Sequence, residues 1–434
     1  MDTAIPKTAV DYIHSLGRFS GEPGLHRIRA LCAALGNPQD GLKFVHLAGT
    51  NGKGSTACML DSALRAAGYH VGLYTSPYLV QFHERIRVDG VMIPDADLTR
   101  LSARVAQACE GLTLPEGEHI GEFEFTTALA FLYYAEQRCD MVVLETGLGG
   151  RCDATNIIRA PEVCIITPIS RDHMAVLGDT VAEIAAEKAA IIKPACAVVC
   201  ADGQPDEVLP VIRRACDAVG AIWYEGVQDM QLLRCDIMGA AFVRGGQGYT
   251  IPMPGRHQLQ NAQTALRTLA ALRERGWNIP LEAEVRGLAR ARMPGRLERI
   301  ADQPLVLLDG AHNAAGVAAL TRTVDEMLKM RRLLVVMGMV KDKEYGECIY
   351  EMARRADVFF ACAPEADMRA LPAQTAAAIA EQHCGEVYDC HTVEHALELA
   401  LEKAAPRDCV LVCGSLYLIG EAEKILRTRQ KAAE

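Results

Sequence analysis

Short apolar runs and amphipathic runs alternate along most of this chain. Apolar strand-like runs at 43–48, 71–74, 140–145, 162–167, 196–201, 304–308, 332–337, 357–361 and 409–413 predict strands in sheets covered by helices. Helical spacing of apolar positions predicts helices over 55–67, 96–109, 125–138, 180–191, 206–218, 260–274, 314–328 and 416–429. Strand–helix alternation of this kind implies an α/β fold, with parallel sheets between layers of helix. The stretch 226–254 breaks the rhythm: it is Gly-rich with polar–apolar alternation, and it predicts a hairpin or a small antiparallel edge. Arg292-Met-Pro-Gly-Arg296 is a breaker cluster before a new strand series. It sets the expected domains at 1–295 and 296–434.

One strand-to-helix junction carries chemistry. Residues 49–55 read Gly-Thr-Asn-Gly-Lys-Gly-Ser, between the first apolar run and the first helical run. Such a turn aims backbone N–H groups and a helix N-terminus at a phosphate chain. Asn51, Gly52, Lys53, Gly54 and Ser55 are therefore candidate nucleotide-binding residues, with Lys53 reaching the outer phosphates. The hydroxyls of Ser55 and Thr56 lie near the place for a metal. The pattern departs from the usual P-loop: Leu47 stands where its first glycine belongs, and Gly54 separates the lysine from the hydroxyl.

Other strand ends gather at the same edge, where ligands bind in open α/β sheets. The run 140–145 ends in Glu145, a candidate metal-binding acid, and a long glycine-rich loop, 146–156, follows it. The run 162–167 leads to Asp172-His173, a candidate metal pair in which the imidazole invites manganese or a mixed-ligand site. The run 71–74 leads to Thr75-Ser76-Pro77, where Ser76 could add a hydroxyl to the metal. In the helix at 180–191, Thr180 and Glu183 stand at capping-box spacing. Lys188 in that helix has Ile184 and Ile192 one turn away instead of acids. A buried lysine with a lowered pKa can capture carbon dioxide as a carbamate, which then serves as a metal ligand.

Composition narrows the field. The chain has 434 residues, 50% hydrophobic and 23% charged, enough for sizeable cores. Net charge is −10 without a basic block, which argues against nucleic acid. No apolar run is long enough for a membrane span, and the N-terminal residues lack a secretory core, so a cytoplasmic protein is expected. Its 16 cysteines show no Cys-x2-Cys pair and read as buried thiols in a reducing compartment.

Taken together, the chain resembles the folylpolyglutamate synthase and dihydrofolate synthase family, within the Mur ligase superfamily. The matching segments are PGLHRIRAL (23–31), GTNGKGS (49–55), TSPYLVQFHERI (75–86), FEFTTALAF (123–131), ETGLGGRCDATN (145–156), EKAAIIK (187–193), GRHQLQNA (255–262), MPGRLE (293–298), DGAHN (309–313) and GSLYLIGE (414–421). With Asp172-His173 and LGDT (177–180), they span nearly the whole chain, in order. The resemblance implies a P-loop-type parallel-sheet ATPase domain followed by a smaller Rossmann-like ligase domain. It implies ATP-dependent amide formation, in which a pteroate or folate carboxylate is phosphorylated and the amine of L-glutamate displaces phosphate. The implied substrates are L-glutamate, dihydropteroate and reduced folates, handled by a monomer.

By position, the resemblance gives ATP contacts to Asn261, Arg296, Asp309 and His312 as well. Magnesium falls to Ser76, Glu145 and His173, with Lys188 as a carbamate and a second divalent or monovalent cation allowed. Catalytic roles fall to Lys53, Lys188 and His173. Gly24, Leu25, His26, Phe123, Glu124, Phe125, Thr126, Cys152, Asp153, Ala154 and Ser415 face the remaining substrates. The family pattern has His where Tyr78 stands, Glu where His26 stands and Gly where Ala190 stands. Two alternatives compete: a cell-wall Mur ligase, and a nucleotide-dependent switch or binding protein. The first normally has an additional N-terminal domain, whereas about 48 residues precede the glycine-rich turn here. The second does not account for Asp309, His312 and Ser415 at turns after strands.

Overall fold

A computed structural model of the protein describes residues 8–17, 21–226, 229–328, 331–365 and 369–433. The chain forms two compact units, Met1–Asp229 with Gln260–Ala291 and Met230–Leu259 with Arg292–Glu434. These units differ from the expected 1–295 and 296–434 in two respects: the stretch 230–259 groups with the second unit, and that unit resumes at Arg292.

The first unit is built on an eight-stranded sheet. Its strands are β1 (Phe44–Ala48), β2 (Val71–Tyr74), β3 (Ile86–Val88), β4 (Val91–Met92), β5 (Met141–Glu145), β6 (Val163–Ile166), β7 (Ala197–Cys200) and β8 (Ile222–Trp223). They lie in the order β4-β3-β2-β5-β1-β6-β7-β8. From β2 to β8 in that order all pairs are parallel, and β3 and β4 add an antiparallel edge. Every residue of β1, β2, β5, β6 and β7 is buried, which is why these strands are mostly apolar, with His46 in β1 and Glu145 at the end of β5 as exceptions. From β1 the chain goes to β2 and β5 on one side, then crosses to β6 and β7 on the other. The chain thus reverses direction across the sheet at β1, and the carboxyl ends of β1, β5 and β6, where ligands gather in open α/β sheets, lie side by side.

Helices hold that edge rigid. The helix Lys53–Ala66 is buried from Gly54 to Leu64. Behind it packs Leu281–Arg290, where a Cβ on Gly287 would lie 2.3 Å from the Ala63 Cα. Ser62 Oγ donates to the Gly287 carbonyl at 2.7 Å. The helix Glu122–Glu136 buries Phe125, Phe131 and Tyr134 completely in the core.

The second unit contains two sheets. Residues 230–251 form an antiparallel sheet of β9 (Met230–Asp236), β10 (Gly239–Arg244) and β11 (Gln247–Ile251). The other sheet has β12 (Glu298–Asp302), β13 (Leu305–Asp309), β14 (Leu333–Met337), β15 (Val358–Ala363), β16 (Val387–Thr392) and β17 (Cys409–Cys413). Its order is β12-β13-β17-β14-β15-β16, parallel except for β12. Leu307, Val335, Phe359 and Leu411 are fully buried in its core. Among the described residues no helix is long and apolar enough to cross a membrane.

Candidate active site

The glycine-rich turn leaves β1 and enters the helix at Lys53. Gly52 caps that helix at φ 86°, a left-handed conformation suited to glycine, and a Cβ there would meet Asn261 Oδ1 at 2.4 Å. Gly49 has no more room: its Cβ would lie 1.8 Å from Thr167 Oγ1, at the end of β6. The Thr50 and Asn51 amides donate to the Pro168 carbonyl, and Thr50 Oγ1 donates to the Ser170 carbonyl at 3.1 Å. The turn is thus fastened to the segment after β6. The amides of Lys53, Gly54 and Ser55 open the helix and have no partner within it, which makes this end an anion seat.

Lys53 Nζ donates to the carbonyls of Gly49 and Thr50, at 3.0 and 3.2 Å, and stands 4.0 Å from Glu145 Oε1. Glu145 is buried at the end of β5, and its Oε2 accepts the Ser76 amide at 3.2 Å. Ser76, Glu145 and Lys53 therefore meet at one place. His173 lies in the segment after β6, at φ 52°, capping the short helix Met174–Leu177. Its side chain is 41% exposed, with Nε2 3.9 Å from Asp172 Oδ1. Among the described residues no three His, Cys, Asp or Glu side chains converge as a ready-made metal cluster.

Lys188 points inward from the helix Val181–Ala189, which starts on the expected capping box of Thr180 and Glu183. It is 4% exposed, and its Nζ donates to the Gly49 carbonyl at 2.9 Å. Two lysines from different elements thus share one oxygen of the turn. Burial pushes the Lys188 pKa down from 10.5 to about 7, helped by the charge of Lys53 and opposed by Asp172 and Asp153. The glycine-rich loop 146–156 is strapped to this helix. Arg151 Nε bonds Glu187 at 2.8 Å, and Asn156 Nδ2 donates to the Ala190 carbonyl at 3.2 Å. Ala190 has φ −64°, where alanine is at ease, so the departure from glycine introduces no backbone strain.

The remaining expected residues of the first unit fall into two sets. Phe125 and Thr126 are fully or almost fully buried in their helix, and the Thr126 hydroxyl is satisfied by the Glu122 carbonyl. Glu124 is held by Arg27, with Nε at 3.0 and 3.3 Å from its two oxygens. Phe123 is half-buried, and its ring fills the space a Cβ on Gly147 would take, with the nearest atom at 2.6 Å. Cys152 is exposed, Ala154 is buried, and the Asp153 carboxylate binds the amides of Gly147 and Leu148 at 2.8 and 2.9 Å. Gly24 and Leu25 precede the helix His26–Ala34.

The two substitutions near the expected substrate region are accompanied by the missing group nearby. His26 Nε2 lies 2.5 Å from Glu118 Oε2, so a carboxylate stands beside the position where the family has Glu. The Tyr78 hydroxyl lies 3.3 Å from His14 Nε2, so an imidazole stands beside the position where the family has His. Arg85 lies over the Tyr78 ring at 5.2 Å and within 3.5 Å of Glu122. His14, Arg27, Arg85 and Glu118 come from four separate segments; Arg27 and Arg85 stand inside two of the family-like segments, 23–31 and 75–86, whereas no quoted segment contains His14 or Glu118.

In the second unit, Asp309 ends β13, buried. Its carboxylate accepts the Leu297 and Ala311 amides, both at 2.9 Å. Burial raises its pKa, and the nearby Arg296 opposes that rise. Arg296 Nη1 donates to the Gly295 carbonyl at 3.0 Å, and His312 Nδ1 bonds the Gly310 carbonyl at 2.7 Å. Ser415, buried at the start of the helix Leu416–Ala433, accepts the Tyr417 amide at 3.2 Å. None of the 16 cysteines forms a disulfide, and Cys164, Cys200, Cys409 and Cys413 are buried as expected.

Comparison with known proteins places these elements in a family. The Mur ligase middle domain matches residues 47–269, and the Mur ligase glutamate ligase domain matches residues 295–416. The chain is 38% identical to a dihydrofolate synthase/folylpolyglutamate synthase of Bacillus subtilis, over 96% of this chain and 98% of that protein. It is 33% identical to a folylpolyglutamate synthase of Lacticaseibacillus casei, over 96% and 97%. Its fold is similar to that of Escherichia coli FolC in complex with DHPP and ADP, with TM-score 0.85 and 31% identity over 98% of this chain and 99% of that one. A Mycobacterium tuberculosis folylpolyglutamate synthase complexed with ADP and AMPPCP gives TM-score 0.85 and 31% identity, over 93% and 95%.

Proposed function

Since the chain belongs to the Mur ligase family of dihydrofolate and folylpolyglutamate synthases and is an ATP-dependent ligase, we propose how its residues divide the reaction. The substrates are ATP, L-glutamate, and dihydropteroate or reduced folates. The observation that carries the assignment is the meeting of Lys53, Glu145, Ser76 and Lys188 around the Gly49–Ser55 turn.

A carboxylate is a poor acyl donor, so the γ-phosphoryl group of ATP is first transferred to it, with ADP leaving. The glutamate amine then attacks the acyl phosphate, and the amide forms as inorganic phosphate leaves. The first-turn amides of Lys53, Gly54 and Ser55, with Asn51 and Asn261 beside them, hold the phosphates. Lys53 leaves its two loop carbonyls for the phosphate oxygens and offsets repulsion between phosphate and carboxylate. Phe123 and the 152–154 segment face the acceptor, near Gly24, Leu25 and His26. Glu124, Phe125 and Thr126, all buried, shape the wall behind Phe123. In the second unit Arg296, Asp309 and His312 are proposed nucleotide contacts, and Ser415 a substrate contact.

The residues fit magnesium. Glu145 is a buried carboxylate beside the phosphate seat, and Ser76 lies against it. A cation that takes several ligands from phosphate and water needs few from the protein. Ser76, Glu145, His173 and a carbamate on Lys188 would hold it, with a second cation allowed. When bound, magnesium neutralises charge on the transferred phosphoryl group. We expect Glu145→Gln to raise the magnesium concentration for half-maximal rate by about tenfold or more, since it removes a buried charge. His173→Ala should have a smaller effect and change the ratio of manganese to magnesium rates. An unchanged magnesium titration for Glu145→Gln would remove Glu145 from the site.

We infer a monomer working in a reducing cytosol, a reading supported by 16 cysteines that form no disulfide. The direct test is ADP release with L-glutamate and either dihydropteroate or tetrahydrofolate. Release that needs both glutamate and a pteroate acceptor is expected. Product with tetrahydrofolate and none with saturating dihydropteroate would restrict the enzyme to chain extension.

A further inference from the structure

His46 sits in the middle of β1, three residues before Gly49, and is completely buried. The nucleotide chemistry gives it no task. Its Nε2 lies 2.8 Å from Thr155 Oγ1, and Thr155 Oγ1 lies 2.5 Å from Asp153 Oδ1. Asp153 also accepts the Thr155 amide on Oδ1, and the Gly147 and Leu148 amides on Oδ2. All of these partners donate to Asp153, so the single Thr155 hydroxyl proton is committed to it. The Thr155 oxygen must then accept from His46, which fixes the Nε2–H tautomer. His46 Nδ1 faces no hydrogen-bond partner among the described residues. Burial, helped by the charge of Lys193, pushes the His46 pKa down to about 3, so the ring stays neutral in this role.

The resulting chain of bonds runs from the strand that carries the phosphate turn, through two buried side chains, to both ends of the loop 146–156. That loop has glycines at 147, 149 and 150 and no core of its own. Its shape depends on the Asp153 carboxylate being turned toward Gly147 and Leu148. A rotation of Asp153 would move Cys152 and Ala154, its neighbours in the loop.

We propose that His46 is a positioning residue for the acceptor substrate, acting through Thr155 and Asp153 to set the 152–154 segment. The proposal rests on the reading that this segment faces the acceptor. It separates two functions carried by adjacent residues: the turn from Gly49 onward seats ATP, and the strand before it sets the acceptor loop.

The test uses the full-length enzyme and steady-state kinetics with each substrate varied in turn. His46→Leu leaves Thr155 Oγ1 without its donor, a loss that commonly changes an equilibrium about tenfold. We expect an acceptor KM raised about tenfold, with the KM for ATP within about twofold of wild type. His46→Gln, whose amide can donate from nearly the place of Nε2, should recover most of the acceptor affinity. Thr155→Val should match His46→Leu, and the double variant should be no worse than either single one, because both break the same chain. Each variant is first shown to melt cooperatively.

A wild-type acceptor KM in folded His46→Leu would overturn the proposal. So would equal rises in both KM values, no recovery with His46→Gln, or additive effects in the double variant. Amide exchange over 146–156 in wild type, with and without dihydropteroate, distinguishes the two failures. No protection there would reject the acceptor-facing reading and the proposal with it. Protection alongside a wild-type KM in His46→Leu would reject only the role of His46.

Discussion

Lys188→Ala should lose ligase activity almost completely, and a short-chain carboxylate such as acetate should restore part of it. The side chain is buried against the Gly49 carbonyl, and desolvation lowers its pKa to about 7. Near pH 7.5 an ordinary lysine, with pKa near 10.4, is neutral only about once in a thousand molecules. Burial makes the neutral amine far more abundant here. In the carbamylation proposed above, that amine would form its N–C bond to carbon dioxide with release of a proton, and the site beside the Gly49 carbonyl would gain an anion. Activity should therefore fall in carbon dioxide-free buffer and return with bicarbonate. It should also fall as pH drops below about 7, where the amine is protonated. Full activity in Lys188→Ala would end this assignment, as would an active enzyme whose mass shows no labile carbamate.

The same lysine leaves a thermodynamic signature in unmodified protein. The folded-state pKa is lowered, so between about 7 and 10.5 the unfolded state binds a proton that the native state does not. Stability should therefore rise with pH across that window. Lys188→Met should remove this component of the slope, read from urea midpoints in carbon dioxide-free buffer.

Lys53→Ala is expected to cost about 3 kcal/mol of transition-state stabilisation, roughly a hundredfold to a thousandfold in kcat/KM for ATP. Stability should change little. Lys53 Nζ bonds only loop carbonyls and stands 4.0 Å from Glu145, so no core contact is lost. The KM for the acceptor should move less than kcat. A near-normal kcat/KM in the folded variant would show that the first-turn amides alone carry the phosphates.

Sequence was most informative for candidates at the end of a buried strand. β1, β2, β5 and β6 read as apolar runs, and the candidates Gly49, Ser76, Glu145 and His173 follow their carboxyl ends. Edge strands were harder to read. β12 is Glu-Arg-Ile-Ala-Asp and β16 is Val-Tyr-Asp-Cys-His-Thr, charged or polar because one side meets solvent instead of another strand. β8 is only Ile222–Trp223 and offers no period. The antiparallel character of 226–254 was legible, but its grouping with the second unit was not, because nothing local records which core a hairpin joins. Lys188 was recognisable from its apolar neighbours, whereas its bond to Gly49 spans 139 positions and required the fold. The His46–Thr155 contact spans 109 positions and was hidden in the same way. Phe125 shows the converse case: it stands within the segment assigned to substrate, yet helical period turns it into the core while Phe123 remains partly exposed.

The way the two units share the chain also governs how they are made. The first unit's last piece, Gln260–Ala291, is synthesised after the second unit's first piece, Met230–Leu259. A nascent chain stopped at residue 229 lacks the helix Leu281–Arg290, and the phosphate-turn helix then has bare backbone at Ala63 where Gly287 belongs. On the ribosome, the nucleotide seat therefore cannot gain its rear support until the β9–β11 sheet has already emerged.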